Sequence, residues 1–285
     1  MSEISPKKLS AYRSRTFHLS PGKHISTKDE AIKFVNQRGF IFFWPIKDIL
    51  LPSLWVAVAG DRPVADAHDD PGHVTWGWKD SLLGARRWYY AKVLRKRATI
   101  ISLETTPYFY ALSNNFGSPD EDYLIEYLQG QMTQEAKAVY ETLLQDGPLD
   151  TIALRRAAQL TSRENESRFN RALVYLQEDF KILPVGISQA GGWRYAFIYD
   201  LVPRHYPDLI EQARNIQESE AREKLVLVYL ASVGAARLAD LRKLFRWDNP
   251  QLLNTIDSLE KTSQITVSLK VAEQTGEWIA IPEVF

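Results

Sequence analysis

Apolar residues recur at helical spacing in the segment from residue 133 to 146, and a second apolar stripe of the same kind runs from 218 to 233. In the first segment, Thr133 can cap the helix and Gly147 can stop it. The pattern therefore predicts two amphipathic helices, each of which begins a longer series of elements.

These two helices belong to an internal repeat. The stretch "VYETLLQDGPLDTIALRRAAQL" resembles "VLVYLASVGAARLADLRKLF", and Gly147 of the first matches Gly234 of the second at an offset of 87 residues. Steady offsets within elements and changed offsets at loops are typical of a duplicated domain. Further matched pairs are Leu143/Leu230, Ile182/Ile265 and Trp193/Trp278.

Each copy has the same predicted order of elements, three helices and then a hairpin. In the first copy the later helices are "TIALRRAAQL" and "SRFNRALVYLQED", and the strands are "FKILPVGI" and "WRYAFIYDL", joined by "SQAGG". In the second copy the helices are 218–233, 238–246 and 249–261, followed by "QITVSLKV" and "EWIAIP". This order is typical of a winged-helix module.

A winged helix can place its third helix in the major groove of DNA and its hairpin against the backbone. The third helix of the first copy and the loop before it carry Arg163, Arg168 and Arg171, which we interpret as candidate DNA contacts. The second copy is poorer in basic residues there. Winged helices also dock proteins, so a protein-interaction scaffold is an alternative interpretation of either copy.

The N-terminal third begins with a predicted helix over 26–38, which Ser26 or Thr27 can cap and Gly39 can end. Glu30 can complete a capping box at its start. The run "RGFIFFWPIKD" follows and is closed by Pro45. Its aromatic residues fit either a buried strand or a surface over which a base stacks.

The segment from 68 to 112 interleaves aromatic and basic residues, the composition of a surface that follows phosphates and stacks bases. Within it, "RRWYYAKVLRKRATIIS" alternates as a strand with outward-facing basic side chains would. An edge strand kept soluble by its charges is the alternative. The candidate DNA contacts are Trp76, Trp78, Lys79, Arg86, Arg87, Trp88, Lys92, Arg95 and Arg97.

Four acids in this region are weak candidates for a general base: Asp69, Asp70, Asp80 and Glu104. Each is equally a surface charge. "HDDPGH" contains groups that bind metals, but the spacing matches no ligand set, and Asp69-Asp70-Pro71-Gly72 fits a turn. We therefore predict no metal site and no cofactor. The sequence has no phosphate-binding loop, dinucleotide fingerprint or Ser/His/Asp elbow.

Composition and net charge narrow the possible classes of function. The 285 residues include 35 Lys or Arg and 35 Asp or Glu, so a uniformly basic surface is excluded while a basic stripe is not. The absence of cysteine excludes disulfides, thiolate nucleophiles and Cys-ligated metals. No apolar run is long enough to span a membrane. We expect a cytoplasmic protein, associated with the bacterial nucleoid if it binds DNA.

The order of parts resembles the AlkZ/YcaQ family of winged-helix DNA glycosylases, which unhook bulky or crosslinked alkylated bases, and most of all its AlkZ-related branch. The resemblance runs from about residue 26 to 281 and is best in "RYAFIYDLVPRHYP" at 194–207. It implies duplex binding in a concave, basic channel. It also implies that the repeat forms the second and third modules.

The chain departs from the family at the catalytic motif. Family members carry a Gln-x-Gln or Gln-x-Asp pair after a glycine, where the polar side chains position water and stabilise charge at the sugar. The matching stretch is "GFIFFWP", with Phe42 and Trp44 at the two positions. Neither side chain can act as a general base. Longer relatives continue into a β-rich C-terminal region, and we expect that part of the channel to be missing here.

We predict an α+β chain of three tandem winged-helix modules: an arm at 1–25, then modules at 26–130, 131–207 and 208–285. We interpret the arm as polar, basic and partly ordered, with a floppy tail as the alternative. The predicted function is binding of double-stranded DNA by a monomer, with damaged or distorted duplex preferred. The alternatives are a divergent glycosylase for alkylated bases, with Phe42 and Trp44 lining its pocket, and a non-enzymatic scaffold.

Overall fold

The computed structural model describes residues 3–272 and 274–284. The helices, in chain order, are α1 Pro6–Thr16, α2 Lys28–Arg38, α3 Leu54–Ala59, α4 Val74–Leu83, α5 Thr106–Tyr110, α6 Asp122–Leu128, α7 Gln134–Asp146, α8 Thr151–Ala157, α9 Glu166–Glu178, α10 Val202–His205, α11 Leu209–Ala213, α12 Glu218–Val233, α13 Leu238–Phe245 and α14 Asn249–Lys261. The strands are β1 Glu3–Ile4, β2 Phe40–Phe42, β3 Tyr89–Lys92, β4 Ala98–Ile101, β5 Leu149–Asp150, β6 Ile182–Ser188, β7 Ala196–Leu201, β8 Ala235–Arg237, β9 Thr266–Val271 and β10 Gln274–Ala280.

This mixture of helices with small sheets confirms the predicted α+β class. The chain forms two compact units. Unit 1 comprises Met1–Trp78, Thr99–Thr105 and Gln217–Phe285, and unit 2 comprises Lys79–Ala98 and Thr106–Ile216. The division of the chain into three modules at 130/131 and 207/208 stays a prediction.

Unit 2 contains the first copy of the repeat. Its strands have the order β5-β7-β6, so the strand before α8 pairs with the returning strand of the hairpin. Asp150 caps α8 by accepting hydrogen bonds from the backbone N–H groups of Ile152 and Ala153, both at 2.9 Å. One face of α7 and one of α9 meet over a core that includes Leu143, Leu173 and the strand residue Tyr199. The predicted helix–helix–helix–hairpin order is therefore present.

Unit 1 contains the second copy, with the strand order β9-β10-β8 and a further strand, β1, parallel to β9. It also contains α2, whose predicted capping box is confirmed: Glu30 N–H donates to the Thr27 hydroxyl, and the Glu30 carboxylate accepts from the Thr27 N–H. In β2 and β4, Phe40 pairs with Ile101 and Phe42 with Thr99.

The N-terminal segment is part of unit 1. Leu9 is buried, and Arg13 donates to the carbonyl oxygens of Val233 and Ala235 at 3.0 and 2.8 Å, which ties α1 to the end of α12. The sequence does not predict this docking, because the segment is mostly polar and few of its residues are buried. One of its basic side chains, Arg13, binds backbone carbonyl groups.

We expect Leu9→Ala to lower the free energy of unfolding of the chain by about 2 kcal/mol, since it removes a buried leucyl side chain beneath α1. Urea unfolding followed by circular dichroism measures this loss. The matched control is Lys8→Ala, an exposed position on the same helix, which should change stability by less than about 0.5 kcal/mol. Equal losses in the two variants would contradict docking of α1.

The segment that carries the best family resemblance, 194–207, holds unit 2 together. Arg204 pairs with Asp200 at 2.5 Å and donates to the carbonyl oxygens of Leu143 and Leu144, so it caps the C-terminal end of α7. The Tyr206 hydroxyl donates to the carbonyl oxygen of Trp88 at 2.8 Å. These contacts give the segment 194–207 a role in packing within unit 2.

We expect His205 in this segment to make the stability of the chain depend on pH. Burial, reinforced by the positive charge of Arg86, lowers the pKa of His205 below its ordinary value of 6.5. The unfolded chain therefore binds the proton more tightly, so stability is complete above pH 6.5 and falls as the pH drops from 6.5 towards the lowered pKa. Urea unfolding at pH 7.5 and 5.5 should show a smaller difference for His205→Gln than for the wild type. An unchanged difference would exclude His205 as its source.

Candidate nucleic-acid interface

A basic groove opens on the surface of unit 2, with a volume of about 1010 Å³. One wall comes from α9 and the loop before it, and the other from β3 and the turn that follows it. We call this surface the basic groove. Its charged lining residues are Lys92, Lys96, Arg97, Glu135, Arg163, Glu166, Arg168 and Arg171.

The groove is basic by composition, with six cationic and two anionic side chains. Arg168 pairs with Glu135 at 3.2 Å, and the pKa of Glu135 is lowered by a hydrogen bond from its own backbone N–H at the start of α7 and by Arg168. Arg163 and Arg171 are exposed and form no ion pair with another described residue. The groove therefore keeps an excess of positive charge.

Crowding of cations is visible at Lys92. Partial burial lowers the pKa of its ammonium group, and the positive charge of Arg97 lowers it further. Like charges held together in this way favour an anionic partner, because its charge removes the repulsion. A polyanion with phosphates spaced along it has the right chemistry for this surface.

The structure brings together five of the predicted DNA contacts, namely Lys92, Arg97, Arg163, Arg168 and Arg171. The expected continuous strand over 86–102 is not formed. Arg95 and Lys96 have positive φ angles of 57° and 58°, so the chain turns between β3 and β4. That turn places Lys96 in the groove beside the five predicted contacts. Arg95, which is also a predicted contact, does not line the groove.

Other predicted contacts lie elsewhere. Arg86 and Arg87 are exposed in the turn after α4, outside the lining of the groove. Trp88 is only 1% exposed in the core of unit 2, so no base can stack on it in this conformation. Trp76 belongs to unit 1, where its ring meets those of Trp44 and Phe43 at 5.5 and 6.0 Å.

Lys79 is also only 1% exposed and cannot reach a phosphate in this conformation. It pairs with Asp80 at 2.5 Å and donates to the Tyr195 hydroxyl at 2.8 Å. Its ammonium lies 4.6 Å from the ring centre of Phe197. Burial lowers the pKa of Lys79, and the hydrogen bond and charge of Asp80 oppose that effect. Lys79 and Asp80 thus form a structural pair in which the lysine is buried and the aspartate is partly buried.

The positions of the family's glutamines do not form a polar pocket. Phe42 is fully buried in β2, and Trp44 is 37% exposed beside Phe43. The run "RGFIFFWPIKD" therefore combines a buried strand with an exposed ring. The strand residues fill the core, and Trp44 joins a half-exposed aromatic cluster.

Of the four candidate acids, Asp70 has structural partners, as Asp80 does. Asp70 pairs with Arg62 at 2.6 Å and accepts a hydrogen bond from the N–H of Gly72 at 2.8 Å, which fits the turn interpretation of "HDDPGH". The pKa of Asp70 is lowered by Arg62 first and by the Gly72 N–H next. Asp69 and Glu104 are exposed.

No three His, Asp or Glu side chains in the described part of the chain are placed to hold a metal ion. Over residues 3–272 and 274–284, no helix combines the length and the apolar character that crossing a membrane requires.

Comparison with known proteins adds a family and a fold. The sequence profile of a family described as AlkZ related matches residues 25–246. Among solved structures, the Streptomyces sahachiroi DNA glycosylase AlkZ has a similar fold, with a TM-score of 0.57 and 14% sequence identity over 99% of this chain and 71% of that one. A search of curated proteins finds no significant match.

Proposed function

Because the chain belongs to the AlkZ-related family, we propose that it binds double-stranded DNA through the basic groove and prefers damaged or distorted duplex. The observation that carries the proposal is the convergence of six cationic side chains from two separate parts of unit 2 on one groove. The similar fold of a DNA glycosylase supports the choice of DNA as the polyanion.

The groove suits phosphates better than an enzyme's small substrate. It is wide and open, and its cations stand on long side chains along α9 and around the turn after β3. Arg163 and Arg171 can each contact a phosphate without breaking an ion pair with another described residue. Such contacts position a protein on a duplex without reading its sequence.

The preference for distorted duplex rests on the family and on the partner chemistry, since damaged sites bend and open more easily than paired DNA. Base release is a separate activity. It needs a group that positions water, and Phe42 and Trp44 at the family's glutamine positions cannot supply one.

The test is fluorescence anisotropy of a labelled duplex of about 20 base pairs, undamaged or with an abasic-site analogue, across a salt series. With about four phosphate contacts, the logarithm of the binding constant should fall with the logarithm of salt at a slope of about −4. Tighter binding to the abasic duplex supports the preference. An absence of binding even at about 50 mM salt would reject the proposal in favour of a protein-docking role.

A further inference from the structure

An exposed tryptophan stands at the tip of the hairpin in unit 2. Residues 189–195 join β6 to β7 beyond their last pair, Ser188 with Ala196, and we call them the β6–β7 loop. Trp193 in this loop is 95% exposed, the most exposed of the large apolar side chains in the described chain. A ring of this size left in water costs hydrophobic free energy unless a partner covers it.

The repeat shows that Trp193 is not a displaced core residue. Asp150, which precedes α8, pairs with Ile198, and Arg237, which precedes α13, pairs with Trp278. The structural equivalent of Trp278 is therefore Ile198, and the match of Trp278 with Trp193 made from the sequence is wrong. Trp278 is buried, whereas Trp193 extends from the β6–β7 loop into solvent.

The loop that carries Trp193 is anchored at its base. The Tyr195 hydroxyl, two residues further on, donates to Asp80 at 2.9 Å and accepts from the buried ammonium of Lys79. Within the loop, the N–H of Arg194 donates to the carbonyl oxygen of Gly191 at 3.1 Å. Lys79 and Asp80 therefore hold the base of the loop from which the tryptophan extends.

We propose that Trp193 stacks on a base at a gap or unpaired site in duplex DNA, an inference that rests on the proposed function and names the part of the surface that senses distortion. The aromatic face suits a base of any kind, because every base has a π-face. Arg194 adjoins it, is exposed, and can contact a phosphate next to that base. Apolar side chains enter base steps most easily where stacking is already broken.

The experiment compares Trp193→Ala and Trp193→Phe with the wild type on undamaged and abasic-analogue duplexes. Trp193→Ala should weaken binding to the abasic duplex about tenfold and leave the undamaged duplex and the salt slope unchanged. Trp193→Phe should retain most of the preference. Phe116→Ala, which removes another exposed aromatic ring of unit 2, is the matched control and should change neither affinity.

Other outcomes separate this inference from the groove proposal. If Trp193→Ala binds both duplexes as the wild type does, stacking is overturned and the groove proposal stands. Equal weakening on both duplexes, or the same loss in Phe116→Ala, also overturns it. Reduced self-association of Trp193→Ala in sedimentation, with DNA binding unchanged, would assign the ring to a protein contact and overturn it too. Failure of the wild type to bind DNA would overturn both proposals.

Discussion

Reversing the charges of Arg168 and Arg171 together is expected to weaken binding to an undamaged duplex by about a hundredfold at about 100 mM salt. Both side chains lie on α9 along the basic groove, and both are exposed. Each substitution by Glu removes a cation of the groove and adds a negative charge that repels the DNA backbone, and Arg168→Glu also breaks the ion pair with Glu135. Anisotropy across a salt series should also show the slope reduced in magnitude by about two, since two counterion-releasing contacts are lost.

The control carries the same change in net charge away from the groove. Lys8→Glu with Arg214→Glu alters two exposed side chains that do not line it, and the folded state should tolerate both. We expect binding close to that of the wild type. If this control weakens binding as much as the groove variant does, the effect comes from net charge and the groove loses its assigned role.

The second large effect concerns the buried charge behind α9. Lys181 is 1% exposed and contacts Glu126 at 2.5 Å, Asp179 at 2.8 Å and the Asn115 side-chain oxygen at 2.9 Å. Tyr175, which lines the groove, donates to the other carboxylate oxygen of Glu126 at 2.6 Å. Lys181→Ala should lower the free energy of unfolding by about 4 kcal/mol, because it leaves Glu126 buried without its cation.

Two further measurements identify the cause of that loss. Burial raises the pKa of Glu126, so removing Lys181 should favour its protonated form, and the gap between variant and wild type should narrow as the pH falls. Replacing both partners, in Lys181→Met with Glu126→Leu, should recover part of the stability. If the double variant is as unstable as Lys181→Ala, loss of side-chain volume and not unpaired charge is responsible.

Local signals in the sequence are sufficient for most of the helices of the repeat. Thr133, Asp150 and Asp248 are polar caps directly before apolar stripes, and each accepts a hydrogen bond from the backbone of its helix. Thr27 and Glu30 predict the capping box of α2 in the same way. These features depend on residues three or four positions apart, so the sequence displays them directly.

The candidate site depends on distant residues, and the sequence shows only its composition. Lys92 and Arg171 both line the groove, although they are 79 positions apart in the sequence. Which cations face the groove is decided by a turn with positive φ at Arg95 and Lys96, and neither residue type predicts such a turn. Lys79 and Arg87 have the same chemistry in the sequence, yet one is buried among aromatic rings and the other is exposed. Burial of this kind follows from tertiary packing, which composition cannot supply.

The most direct test of the groove as the DNA-binding surface is site-specific photocrosslinking to a labelled duplex. A photoreactive phenylalanine analogue at Asn170, an exposed and uncharged residue of the groove, leaves every cation in place. The same analogue at Gln145, an exposed residue near the end of α7 outside the groove lining, is the comparison. We expect a salt-sensitive crosslink from position 170 and little from position 145. A crosslink from 145 with none from 170 would contradict it.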